Sequence, residues 1–128
     1  MGKLRVRGIR GATTATANTR EAIYEATEEM LRKVIDSNGI DPDDVAAATF
    51  STTPDLNAAF PAFVARKCFG WHDVALMCGH EMSVPGGEPM CVRVMVLVNT
   101  EKAQNEINHV YLRGAADLKS RGMDGDQS

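Results

Sequence analysis

The sequence has no paired set of cysteines, no apolar run of membrane-spanning length and no phosphate-binding loop. Its three cysteines, Cys68, Cys78 and Cys91, are odd in number and lack paired metal-ligand spacing. That argues against a disulfide framework and suits a reducing cytoplasm. The opening MGKLRVRGIRG has no apolar core or small-residue cleavage site, so no signal peptide is expected. No apolar stretch approaches the ~20 residues of a bilayer span, which predicts a soluble protein with no membrane partner. Neither G-x-x-x-x-G-K-[ST] nor a G-x-G-x-x-G following a strand occurs. Excess positive charge is also missing: 14 Lys and Arg against 17 Asp and Glu give a formal net charge of −3. Such a chain has no overall attraction for nucleic acid, so an anionic ligand must be held by locally clustered arginines.

What is present suits one domain with its own core. The 128 residues are 44% hydrophobic and 24% charged, the range of soluble globular chains. No internal repeat or linker interrupts them, so residues 1–118 are expected as a single domain and 119–128 as a polar tail.

Residues 3–14 alternate partly, with Leu4, Val6 and Ile9 among basic residues, and predict an opening strand that breaks near Gly11. Residues 18–39 are the clearest helix. Asn18 is the expected cap with Glu21 reaching back to it. Ile23, Ala26, Met30 and Val34 form one apolar face, and Asn38-Gly39 the left-handed stop. Residues 41–48 are expected to open a short helix capped by Asp41, with Pro42 in its first turn. Strands are expected at 48–53, 73–78, 91–100 and around 109–112, and a second helix at 60–70 between Pro61 and Gly70. The sum is an α+β fold: a mixed sheet of about five strands with helices packed on one face.

The stretch CVRVMVLV (91–98) is apolar on both faces, with Val92, Val94, Val96 and Val98 set against Met95 and Leu97. In so small a chain the second face needs a cover that one long helix cannot supply, and a partner subunit is the expected cover. Within this run stands Arg93. It either reaches water past its neighbours or points into a cavity and holds an anion. A unit charge pair at ~4 Å is worth roughly 4 kcal/mol at an effective dielectric near 20, enough to offset much of its desolvation.

Other candidate groups lie near strand ends, where functional side chains are common. Glu81, in MCGHEM (77–82), either pairs with Arg93 or accepts a hydrogen bond from a ligand hydroxyl. Cys78 lies two residues before His80, but no second cluster completes a zinc site. Cys68 and Cys91 read as small core residues. Arg10 sits between two glycines, on what reads as a tightly turning backbone; Arg66 falls on the second helix. Tyr111 is either core or a hydroxyl offered to a ligand carboxylate. Three arginines, a glutamate and a tyrosine suit a small molecule bearing carboxylates and a hydroxyl.

The phrases RGIRGATT, TPDLNAAFPAFVAR, GHEMSVPGG, CVRVM and NHVYL resemble the AroH-type chorismate mutases, in the same order and at matching spacing, from about residue 5 to 118. The resemblance implies a homotrimer with a pseudo-α/β-barrel core and active sites at the subunit interfaces. It implies the Claisen rearrangement of chorismate to prephenate, on the branch toward phenylalanine and tyrosine. That reaction is pericyclic and needs no nucleophile, metal or cofactor.

Roles follow from the matching positions. Arg93 would face the ether oxygen as its bond breaks. Glu81 would accept from the ring hydroxyl, with Cys78 as a neighbouring contact. Arg10 and Tyr111 would hold a substrate carboxylate. Phe60, Ala62 and Arg66 would come from the adjacent subunit, and Met77, Leu118 and Lys119 would complete the substrate-binding set. The chain departs from the pattern at Phe63, where some relatives have a basic residue, and at Glu88, where a leucine-like residue is usual. Met77 replaces a small polar residue, and Lys119 keeps the charge without being an arginine. The main rival is a trimer of the RidA-like class, ligand-binding or imine-hydrolysing. Another is a non-catalytic scaffold whose arginines form subunit ion pairs.

Overall fold

A computed structural model of the chain describes residues 2–118. The expected polar tail, and Lys119 with it, lie outside the described residues. Five strands form one mixed sheet in the order β3-β2-β4-β1-β5. They are β1 (Arg5–Thr14), β2 (Val45–Thr52), β3 (Ala75–His80), β4 (Cys91–Thr100) and β5 (Val110–Tyr111). Helices α1 (Arg20–Asn38) and α2 (Ala62–Phe69) pack on one face. The α+β architecture expected from the sequence is present.

The alternation of β4 decides which face is which. Val92, Val94, Val96 and Val98 are buried, facing Ile23, Met30 and Val34 of α1 within one apolar cluster. Arg93, Met95 and Leu97 point the other way and stay partly exposed, Met95 at 40% and Leu97 at 38%. Both faces are apolar, and α1 and α2 cover only one.

Several local expectations are corrected. The opening strand does not break at Gly11; β1 pairs with β4 from Arg5↔Thr100 to Thr14↔Cys91 without interruption. A Cβ at Gly11 would lie 3.0 Å from Val34 Cγ2, 3.1 Å from Val94 Cγ1 and 3.2 Å from Met30 Cγ. The glycine is there so that α1 can lie close on the strand, not to turn the chain. Arg10 therefore sits on extended backbone.

The cap of α1 is Thr19, whose Oγ1 accepts from Ala22 N at 3.1 Å. Asn18 is engaged elsewhere, accepting from the backbone N–H groups of Asn57 and Ala58 at 3.0 and 3.1 Å. The helix expected at 41–48 is only a 3₁₀ turn, Pro42–Asp44, and β2 begins at Val45. β3 and α2 are shifted from the expected spans, to Ala75–His80 and Ala62–Phe69. Cys91 is buried as expected, but Cys68 is exposed beside the Glu28 carboxylate.

Two features set the ends of the sheet that matter below. Buried Asn38 donates to Val34 O and Asn108 O and accepts from Asn108 N, tying the end of α1 to the approach to β5. The segment after β5 then folds over the open face, where Tyr111 and Leu118 pack on Ala12, Cys91 and Ala115.

Candidate active site

The strand registers place Arg93 at the centre of a row that crosses all five strands. Arg93 lies opposite Ser51 of β2 and Ala12 of β1, Ser51 opposite Gly79 of β3, and Ala12 opposite Tyr111 of β5. Paired residues share a face, so the row runs Gly79-Ser51-Arg93-Ala12-Tyr111 along the face opposite α1 and α2. Its small members leave room around the guanidinium. Arg93 is thus not buried in the helix-side core; its side chain is 46% exposed.

Glu81 follows β3 directly and is anchored by its N–H to Thr52 O at 2.8 Å. Its Oε2 lies 3.8 Å from Arg93 Nε and accepts from Ser51 Oγ at 2.5 Å. Both charged side chains are partly solvated, so their pairing adds little stability in the isolated chain. The buried Cys91 thiol also lies beside Arg93. Burial raises its pKa, partly opposed by a hydrogen bond and charge from Arg93.

One row further along the same face stand Met77, Thr49, Met95 and Arg10. Arg10 is exposed, and its backbone N–H donates to His109 Nδ1 at 3.0 Å. Tyr111 and Leu118 wall the site at the β5 end. Arg93, Glu81, Arg10, Met77, Tyr111 and Leu118 therefore share one face.

Cys78, Phe60, Ala62 and Arg66 do not join them. Cys78 pairs with buried Phe50, so its side chain lies on the helix side of β3. Burial raises its thiol pKa, opposed by a hydrogen bond from the Ala62 backbone and by the Arg66 charge. An open cavity of about 680 Å³ lies here, lined by Tyr24, Thr52, Asn57, Phe60, Cys78 and His80 among others. Phe60 is 74% exposed at its edge. Phe63, at one of the departures, stacks on Tyr24 with ring centroids 5.2 Å apart. The candidate residues thus fall into two groups on opposite sides of the β3 edge.

Reading the sequence missed Ser51 and gave Cys91 only a packing role. The strand pairing that puts them beside Arg93 has no signature in sequence spacing. Among the described residues, no three His, Cys, Asp or Glu side chains converge as a metal site requires. Among them also, no helix is long and apolar enough to cross a membrane.

The family model for chorismate mutase type I matches residues 6–121. The chain is 45% identical over 114 residues to chorismate mutase AroH of Bacillus subtilis, covering 89% of this chain and 90% of that protein. It is 47% identical over 115 residues to chorismate mutase AroH of Thermus thermophilus, covering 89% and 93%. A solved chorismate mutase from Clostridium thermocellum superposes with a TM-score of 0.82 at 47% identity, over 84% of this chain and 96% of that one.

Proposed function

The chain belongs to the type I chorismate mutases, an isomerase family, and we propose that it rearranges chorismate to prephenate at a site built between neighbouring subunits of a homotrimer. The reaction breaks an ether C–O bond while a C–C bond forms, with no covalent enzyme intermediate. Negative charge grows on the ether oxygen in the transition state. Arg93 supplies a fixed cation for that charge, so it stabilises the transition state more than the ground state. Glu81 accepts from the ring hydroxyl, and Arg10 and Tyr111 hold a carboxylate. Orientation supplies the rest, because a flexible dianion must first fold into a compact chair-like conformer. An acceleration of ~10⁶-fold needs about 8 kcal/mol, within reach of two effects of several kcal/mol each.

The observation that carries this reading is the guanidinium of Arg93, set among Ser51, Ala12 and Gly79 with Glu81 beside it, on a face that is open in the single chain. Assembly is supported by the same face, where Val6, Met77, Met95 and Leu97 are exposed together. A second copy covers this apolar area and brings Phe60, Ala62, Arg66 and Cys78 to the Arg93 half. Leu118 walls the C-terminal edge, Lys119 belongs to the substrate-binding set, and residues up to 118 act as one domain. Three unpaired thiols support a cytoplasmic setting, in the synthesis of phenylalanine and tyrosine. Incubation with chorismate, following its loss and the appearance of prephenate, tests the reading. Assembled protein that forms no prephenate would overturn it.

A further inference from the structure

Ser51 hydrogen-bonds directly to Glu81, the acid of the charged pair at the centre of this site. β2 sets it opposite Arg93, and its hydroxyl donates to Glu81 Oε2, the oxygen that faces Arg93 Nε across 3.8 Å. Glu81 is the first residue of the Gly- and Pro-rich loop between β3 and β4, with its backbone anchored through one hydrogen bond to Thr52 O. At 3.8 Å the carboxylate and guanidinium stop short of a charge-assisted hydrogen bond, which closes at about 2.7–2.9 Å and is often bidentate for arginine. A small swing of the Glu81 side chain would close that gap.

We propose that Ser51 is a positioning residue that acts through Glu81, holding its carboxylate short of Arg93 so that both groups face the substrate. This rests on the mutase reading above. With Ser51 in place, Glu81 Oε1 remains directed to accept from a ligand hydroxyl, and the N–H donors of Arg93 remain available for the charge developing on the ether oxygen. Without the hydroxyl, Glu81 collapses onto Arg93 in a closed ion pair. The substrate then has to break that pair before either group serves the reaction. The cost falls where Arg93 matters most, in the transition state, so kcat falls more than KM rises.

The test compares Ser51→Ala and Ser51→Thr, each alone and in a Glu81→Ala background, on the assembled full-length protein with chorismate. Ser51→Ala is expected to lower kcat about ten-fold or more, the scale of losing a hydrogen bond to a charged group. Ser51→Thr, which keeps the hydroxyl, restores most of it. In the Glu81→Ala background, Ser51→Ala changes nothing further, because the group it positions is gone. An equal loss in both backgrounds would overturn the role, as would full activity of Ser51→Ala. No turnover by the unsubstituted protein would overturn the mutase reading and this role with it. Active unsubstituted protein with an indifferent Ser51 overturns the role alone.

Discussion

Arg93 Nε and Glu81 Oε2 lie 3.8 Å apart on the sheet face opposite α1 and α2. Their partial exposure leaves both groups reachable from outside the chain. A buried, closed ion pair would instead be a structural element, with its charge already neutralised.

The proposed site between two subunits makes a prediction about assembly. Arg93→Ala impairs one half and Arg66→Ala the other, while each variant keeps the intact complement of its partner. Co-assembled at random in equal amounts, they should regain about a quarter of wild-type turnover if each site takes one half from each of two chains. Activity equal to the mean of the separate variants would mean that each site is built within one chain.

Close packing of α1 on β1 makes Gly11 sensitive. In Gly11→Ala the added methyl meets Val34, Val94 and Met30 at 3.0–3.2 Å. A loss of about 1–3 kcal/mol is expected from overpacking, read as a lower denaturant midpoint at unchanged slope. An unaltered midpoint would mean that the helix moves aside freely.

Asp55 gives a pH dependence with a definite sign. Its pKa is lowered, first by the hydrogen bond from Thr53 Oγ1; desolvation acts the other way, and the hydrogen bond from Met90 N lowers it further. The unfolded chain binds this proton more readily, so the contribution is fully present above 3.8 and is lost as pH falls through the lower folded value. The group is well exposed, so the effect is small. Asp55→Asn should flatten the acid side of the stability–pH curve while leaving neutral stability little changed. An identical acid limb in the variant would remove Asp55 as its cause.

How far the fold could be read in advance depended on local signals. The valines of β4, the face of α1 and the left-handed Gly39, with φ 61°, each follow from neighbours in sequence. Residues 45–48 did not, because the register of β2 shifts between Val45 and Ala47. That bulge puts Val45 and Ala48 on the same face and erases the alternation that marks a strand. Asn18 and Thr19 are equally good caps locally; the loop at Asn57 takes Asn18 and leaves Thr19 to the helix.

For the site, residue types near strand ends pointed to Arg93, Glu81, Arg10 and Tyr111, and the family resemblance assigned their roles. Which side of the sheet each occupies was illegible, because it depends on pairing between distant strands. Cys78 and Glu81 are three residues apart, yet one faces α2 and the other Arg93. Ser51 carried no signal at all until β2 was set beside β4.

The split between kcat and KM in Arg93→Ala, measured on chorismate with assembly checked in parallel, tests the central claim most directly. A cation that acts on charge developing in the transition state predicts a fall in kcat of about 10²-fold or more, a much smaller change in KM and an unchanged oligomer. A rise in KM at unchanged kcat would contradict it, reducing Arg93 to a group that merely binds the substrate.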